Sequence, residues 1–498
     1  MNQHTVAIAD AGKQAAECNS LTATVEPVPL VVDLDGTLVR TDLLLESILR
    51  LIKEAPRYIF ALPFWLLRGK AAFKQEIACR VSPDPRLIPY RNRVVEYVTT
   101  QRAGGRAIVL ATASDERLAQ LVADHLRLFD LVLASDGKTN LSGERKRERL
   151  VAEFGERGFD YAANARCDLI VWRSARKAIV VNPTRHLARV VGRESRAEIL
   201  EDDHRSPIEF LRALRPPDWL KNLLLFVPLV AVHEFHDPLP WGKVLLAFLA
   251  FCCGASSGYL LNDLLDLPAD RRHPTKSLRP FAAGRLPLAY ALLMIPALLV
   301  LGCLLGALVS QLFLLTLLLY YGLTVLYSLW VKTIVLLDVL VLAGLYTIRI
   351  VAGAAAAWVW PSEWLLLFSA FLFGSLALLK RYGELVVMRN LEGGQATARA
   401  YKLADAELLA SKGTGLGYVA TLVLALYITS AKARTLYAQP ELMWALCPLL
   451  VYWIGRLWLV AHRGEMHDDP IVFALRDRTS RIVILLMLAT AAFAMRGT

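Results

Sequence analysis

In the stretch NDLLDLPADRRHPTKSLRP, Asn262 to Pro280, an amide and three carboxylates, Asn262, Asp263, Asp266 and Asp270, recur at i, i+1, i+4 and i+8. On one helix that spacing turns the aspartates to one side, and carboxylates so close to each other persist around cations. Hard oxygen donors suit Mg²⁺ better than zinc, and Mg²⁺ held by carboxylates completes its shell with water and phosphate oxygens. With Lys276 and Arg279 following, the stretch reads as a handle for a diphosphate. Pro268 must bend or end the helix before Asp270, and a solvated loop of interleaved charges is the plainer alternative. A second stretch, VPLVVDLDGTLVRTD at residues 28–42, is an apolar strand running into Asp33, Asp35, Gly36 and Thr37. An aspartate at a strand tip, another two residues on and a glycine to open the loop suit a carboxylate nucleophile beside a general acid/base.

The elements that hold these residues divide the chain near residue 215. Ahead of it, strand-like and helical segments alternate with polar loops; beyond it come runs of about twenty apolar residues, enough to cross roughly 30 Å of hydrocarbon. With 498 residues, 55% of them hydrophobic, and a net charge of +11, the chain is too long for one domain and too apolar to be wholly soluble. About nine spans are expected, near 219–234, 243–261, 287–309, 312–330, 334–358, 362–379, 414–431, 441–461 and 481–496. Basic residues crowd alternate loops: Arg271, Arg272, Lys276, Arg279 and Arg285 in one, Lys380, Arg381, Arg389, Arg399, Lys402 and Lys412 in another, Arg463, Arg476, Arg478 and Arg481 in the last. By the positive-inside rule these loops and the front domain lie on the cytoplasmic side of the inner (plasma) membrane, with the termini on opposite faces. Residues 1–27 contain no signal-peptide core and are expected to be disordered. The seven cysteines show no metal or disulfide spacing and are expected to be buried thiols. No nucleic-acid partner is expected, and nothing sets an oligomeric state.

DxDGT at a strand end resembles the first motif of the haloacid dehalogenase (HAD) superfamily, most of whose members hydrolyse phosphate monoesters with Mg²⁺. The likeness continues in order through AIVLATAS, GERKRERL and YAANARCDL. It implies an α/β domain over 28–183 with Asp33 as nucleophile and Asp35 as acid/base. Thr112 and Lys146 would meet the phosphate, and Asp33, the Asp35 carbonyl, Asn164 and Asp168 would form the metal shell. Ala163, Asn164 and Ala165 depart from the superfamily's usual glycine, acid and serine. A helical insertion at about 41–100 contains RYIFALPFWLLRGK, too short to span a membrane. It is either the core of a cap or an interfacial helix resting on lipid.

NDxxDxxxD with a downstream Arg-Pro and about nine spans resembles the UbiA superfamily of intramembrane prenyltransferases, over residues 215–498, with 184–214 as a linker. That resemblance implies an all-α bundle with a cavity open to lipid and a Mg²⁺-diphosphate site built on Asn262, Asp263, Asp266 and Asp270. Five segments, HPTKSLRPFAAG (273–284), RPPDWLKNLLLFVPL (215–229), YSLWVKTIVLLDV (327–339), KRYGEL (380–385) and HDDPIVFALRDRTS (467–480), look most like the decaprenyl-phosphate phosphoribosyltransferase branch. Where aromatic prenyltransferases carry a second acidic motif, this chain has Lys380, Arg381, Tyr382 and Glu384. Bases there suit two phosphorylated substrates.

Lys221, Asn222, Lys276, Arg279, Tyr327, Lys332, Asp338, Lys380, Arg381 and Glu384 are the candidate substrate-binding residues. Lys221 could equally snorkel at an interface, Arg349 could equally complete a buried ion pair, and Asp468, Asp469, Asp477 and Arg478 could equally be solvated. The implied reaction moves 5-phosphoribose from phosphoribosyl diphosphate to a polyprenyl phosphate, after which the HAD domain removes the 5-phosphate. An aromatic polyprenyltransferase, a phosphatase serving a separate soluble ester, and a scaffold or transporter with a degenerate HAD domain stay open. For a transporter, paired half-membrane repeats would be expected, and none is evident.

Overall fold

The computed structural model describes residues 28–191, 197–201, 206–232, 237–390, 401–466 and 469–495. It divides into two units, Met1–His204 and Arg205–Thr498. Residues 1–27, Arg399 and Asp468 lie outside the described residues.

The first unit is built on β1 (Leu30–Val32), β2 (Ile108–Asp115), β3 (Leu131–Ser135), β4 (Asp160–Ala163), β5 (Ala178–Val181) and β6 (Ala197–Leu200), in the order β3-β2-β1-β4-β5-β6. Every pairing is parallel. Strands covered on both faces read as continuous apolar runs, which is why LVV and AIVV are wholly buried. β1 lies where the strand order reverses, so the chain leaving its carboxyl end opens onto the crevice where α/β sheets place ligands. β6 falls in what the sequence suggested was a linker, beyond the expected boundary at 183. As a short edge strand with acidic neighbours and no fully buried residue, it carries none of the apolar signal of the inner strands.

Between β1 and β2 the chain forms α1 (Leu43–Glu54), α2 (Leu62–Leu67), α3 (Lys70–Ala78) and α4 (Asn92–Ala103). Leu51, Trp65, Ile77 and Val81 make a small core of their own, so the insertion is a cap. Its expected extent to residue 100 is too long, because Val94 and Val98 of α4 pack into the core of the sheet. Cys79 and Cys167 are exposed rather than buried.

Among the described residues of the second unit, eight helices are long and apolar enough to cross a membrane: Pro238–Leu265, Leu288–Val309, Gln311–Leu329, Leu337–Ala357, Glu363–Val387, Leu403–Thr429, Pro440–His462 and Arg478–Met495. The protein is therefore a multi-pass membrane protein. The first expected span, 219–234, is not one continuous helix: Pro216–Phe226 is a run of 3₁₀ turns followed by a short helix, Val227–Val232. Pro216, Pro217 and Pro228 lack the amide hydrogens that a regular helix interior uses. Gly353 lets this 3₁₀ run approach the helix Leu337–Ala357, since a Cβ there would overlap the Leu225 carbonyl. Gly353→Ala should therefore lower stability by about 1–3 kcal/mol through overpacking. Thermal unfolding of the detergent-solubilised protein would show it as a reduced Tm; an unchanged Tm would mean that this contact yields freely.

Candidate functional sites

In the first unit, Asp33 follows β1 directly and is buried. Lys146, on α5 (Glu144–Phe154), donates from Nζ to Asp33 Oδ1 at 2.7 Å, and Thr37 Oγ1 donates to Asp33 Oδ2 at 3.2 Å. Tyr161 on β4 accepts from Lys146 Nζ at 3.0 Å and donates to Asp168 Oδ1 at 3.0 Å. The Ala165 amide donates to the other Asp168 oxygen at 3.2 Å. Thr37 also donates to Asn164 Oδ1 at 3.3 Å. Gly36 has φ +74°, and a Cβ there would overlap the Asn164 side chain, so both the turn and the close approach require glycine. Thr112 Oγ1 accepts from the Ser114 amide at 3.0 Å, which orients the end of β2. Thus Asp33, Asp35, Thr37, Lys146, Asn164 and Asp168 gather around one strand end, as the resemblance to the HAD superfamily implied. Tyr161, Ser114 and Lys74 join them without any local signal to announce it.

The electrostatics separate the roles of the carboxylates. Burial, reinforced by the charge of Asp42, lifts the Asp35 carboxyl to about 7 against hydrogen bonds from the Leu43 amide at 2.9 Å and Ser114 Oγ at 2.5 Å. Burial and the charge of Asp33 raise Asp168 to about 6. A buried Asp168 held beside the charge of Asp33 makes a carboxylate pair that a hard cation would relieve. An Asp35 carboxyl near neutrality can hold a proton for a leaving alkoxide. For an alkyl phosphate, kcat/KM should therefore fall about tenfold per pH unit above roughly pH 7, as Asp35 loses that proton. Asp35→Asn should remove this limb; a wild-type profile flat from neutral to alkaline pH would refute the assignment.

In the second unit the acids and bases collect at helix ends. α6 (Pro238–Leu265) stops at Asp266, which caps it, and Pro268 opens α7 (Leu267–Arg272). This break separates the carboxylates that a continuous helix would align. Asp263 pairs with Arg215 and, at 3.1 Å, with Arg279, whose same nitrogen meets Asp270 Oδ2 at 2.6 Å. Asp266 turns away to Lys332, which reaches both its oxygens at 2.8 Å and Asn262 Oδ1 at 3.3 Å. The Arg279 nitrogen is thus a positive centre at a point shared by Asp263 and Asp270. Among the described residues no three His, Cys, Asp or Glu side chains gather into a ready metal cage.

On α8 (Leu337–Ala357) and α9 (Glu363–Asn390), Asp338 and Arg381 form a wholly buried pair at 2.6 Å. Arg381 also reaches Glu384 at 3.0 Å and Tyr327 OH at 2.6 Å, while Tyr401 OH donates to Asp338 at 2.5 Å. Asp469 draws in Lys221 at 3.1 Å and Lys380 at 2.7 Å. Burial alone would raise the Asp469 carboxyl, but these two ammonium groups hold it well below the usual carboxylate range. Lys221 also meets Asp218 at 2.8 Å. Half-buried Lys276 has its ammonium pKa pushed down by desolvation, with Glu384 opposing and Arg279 adding to the shift.

Arg349 does not pair with Asp338. It donates to Asn222 Oδ1 at 3.0 Å and Tyr320 OH at 2.9 Å, with its guanidinium 4.8 Å from the Tyr320 ring centre. Tyr382 likewise leaves the cluster and bonds His462 at 2.6 Å. Asp477 pairs with Arg456 at 2.6 Å. Arg215 and Tyr401 escaped the sequence reading because their partners, Asp263 and Asp338, lie far along the chain; Asp218 escaped although its partner Lys221 is only three residues on.

Fold and site define a multi-pass membrane protein whose helix ends carry a dense lattice of acids and bases. The chain belongs to the UbiA prenyltransferase family, which matches residues 223–494. It is 35% identical over 478 residues to the uncharacterized protein y4nM of Sinorhizobium fredii, covering 94% of this chain and 91% of that protein. It is 33% identical over 298 residues to the decaprenyl-phosphate phosphoribosyltransferase of Mycolicibacterium smegmatis, covering 56% of this chain and 90% of that enzyme. A solved structure of a UbiA homolog from Archaeoglobus fulgidus bound to DMAPP and Mg²⁺ overlays with a TM-score of 0.45 at 18% identity, over 58% of this chain and all of that one.

Proposed function

We propose that the membrane unit transfers 5-phosphoribose from phosphoribosyl diphosphate to a polyprenyl phosphate, and that the HAD-like unit then hydrolyses the product's 5-phosphate, both on the cytoplasmic side. The observation that carries this reading is that a buried cluster of Asp33, Asp168 and Lys146 at a strand end and a basic, acid-laced membrane site lie in one chain. A prenylated ring would give the first site no phosphate ester to cleave, whereas a phosphoribosyl lipid carries one. The phosphoribosyltransferase relative supports the choice.

The donor chemistry fits Mg²⁺: oxygen ligands only, two of them already sharing one cationic point, and no closed cage, which suits an ion that arrives with diphosphate and keeps water. Bound there, Mg²⁺ would neutralise the leaving diphosphate. Asp263 and Asp270, with Asp266 at the helix break, would hold it, while Arg215, Arg279, Lys276 and Lys332 take phosphate oxygens. Arg215, Arg279 and Lys332 are each already paired with an acid, so a phosphate can exchange for a carboxylate at these three without stranding a buried charge. The bond from C1 of the ribose to diphosphate breaks and one from C1 to a lipid phosphate oxygen forms. That oxygen is anionic and needs no strong base. Lys380, Lys221 and Arg381 would hold this second substrate.

At the other site, Asp33 attacks phosphorus and Asp35 gives its proton to the departing 5-oxygen. Water, losing a proton to Asp35, then cleaves the aspartyl phosphate. Lys146 and Thr112 would steady the phosphoryl oxygens, and Asp33, the Asp35 carbonyl, Asn164 and Asp168 would hold a second Mg²⁺, which would screen charge between phosphate and carboxylates. Membranes containing the protein, Mg²⁺, radiolabelled phosphoribosyl diphosphate and a polyprenyl phosphate should yield labelled lipid. Absence of labelled lipid, with turnover of a prenyl diphosphate and an aromatic acid instead, would overturn the reading in favour of an aromatic prenyltransferase.

A further inference from the structure

The cap carries a surface that its own fold does not use. Of the nine exposed large apolar side chains among the described residues of the first unit, five lie within nine residues: Ile59, Phe60, Phe64, Leu66 and Leu67, with Phe60 80% and Leu67 84% exposed. Trp65 turns inward, into the cap's small core, with Tyr58, Ala61 and Leu62 packed against it. Between Glu54 and Glu76 the chain has no acidic residue but has Arg57, Arg68, Lys70 and Lys74. An apolar face bordered by bases is the pattern of a segment that lies in the headgroup region of a bilayer. The same chain also carries eight candidate membrane-spanning helices, so lipid is a neighbour by covalent connection.

This segment runs straight into the phosphatase site. After Arg68, α3 places Lys74 Nζ 2.5 Å from the Ala113 carbonyl and 2.7 Å from Asn140 Oδ1, on the strand that bears Thr112 and on the loop beyond β3. Beside it is a cavity of about 290 Å³ lined by Arg68, Lys70, Lys138, Asn140 and Arg145, and Arg145 immediately precedes Lys146. Four bases next to a phosphomonoester site suit a substrate with a second anionic group.

We propose that residues 59–70 dock on an anionic lipid surface, so that the Asp33 site takes lipid-borne phosphate monoesters carrying a second phosphate. The docking stands on the cap surface; the substrate class rests on the phosphatase reading of Asp33. Both are tested with the full chain in lipid nanodiscs with and without phosphatidylglycerol. In a background with Cys18, Cys79 and Cys167 replaced by Ser, a fluorophore at Leu67→Cys should be quenched by nitroxide-bearing lipid several-fold more than one at Ile199→Cys. Equal quenching at both positions overturns the docking, as does protection at Leu67→Cys from both lipid nitroxide and soluble iodide, which would assign the patch to a protein contact. For the substrate class, Phe60→Ser/Phe64→Ser/Leu67→Ser should cut hydrolysis of a lipid-borne phosphomonoester about tenfold and leave that of soluble p-nitrophenyl phosphate unchanged. Parallel loss on both substrates, or on neither, overturns it. If no form hydrolyses either ester, the phosphatase reading and the substrate class fail together, while quenching still decides the docking.

Discussion

Asp33→Asn is expected to convert the labelled product from lipid-linked ribose to lipid-linked 5-phosphoribose, with undiminished transfer. The substitution removes the proposed nucleophile, so hydrolysis should fall at least about 10³-fold, or roughly 4 kcal/mol in the barrier. Folding should suffer less than burial suggests. Lys146 keeps Tyr161 at 3.0 Å with Asp168 just beyond it, and an amide can still accept from Thr37. The two units have separate cores, so the loss should stay in the first. Thin-layer separation of the labelled lipids before and after added phosphatase gives the readout. Lipid-linked ribose made at the wild-type rate would mean that Asp33 is not the nucleophile or that another enzyme removes the phosphate.

Asp263→Asn is expected to leave only a small residue of labelled lipid. Asp263 is buried, meets Arg215 and Arg279, and shares the latter with Asp270. Neutralising it takes away one of the carboxylates proposed for Mg²⁺ and leaves two guanidinium groups competing for the rest. A loss of about 10²–10³-fold in transfer, roughly 3–4 kcal/mol, follows from losing charge stabilisation of the leaving diphosphate. The structural cost of stranding buried arginines could mimic this, so the deciding measurement is the Mg²⁺ concentration at half-maximal rate. It should rise several-fold in Asp263→Asn if Asp263 helps to hold the ion. A lower Tm with an unchanged Mg²⁺ requirement would make the residue purely structural.

Much of the phosphatase-like site was legible because its geometry is local. Asp33, Asp35 and Thr37 are ordered by one strand end and one positive-φ glycine, and Asp168 and Asn164 by the next strand over. Tyr161 was invisible because an inward tyrosine on a buried strand reads as core until its hydroxyl is found between Lys146 and Asp168. In the membrane unit the residue types were legible and the pairing was not. Asp338 read as a binding residue and Arg349 as either functional or half of a buried ion pair; Arg381 took Asp338, and aromatic rings and Asn222 took Arg349. Helical periodicity aligned Asp263, Asp266 and Asp270, and Pro268 undid that alignment.

The sequence by itself determined the division into an α/β unit and a multi-pass bundle, and the two acidic motifs on which chemistry can be built. Apolar run length, strand-end aspartates and an obligatory glycine act over a few residues, where secondary-structure geometry leaves few choices. Only the tertiary structure decided which base meets which acid. Arg215 reaches Asp263 across 48 residues, Lys332 reaches Asp266 across 66 and Lys380 reaches Asp469 across 89. Such pairs depend on how helices cross and how closely they approach, as where Gly353 admits the Leu225 backbone. In a buried, low-dielectric setting a charge bonds whichever opposite charge the packing presents, so the partner is a property of the assembled bundle and not of either segment.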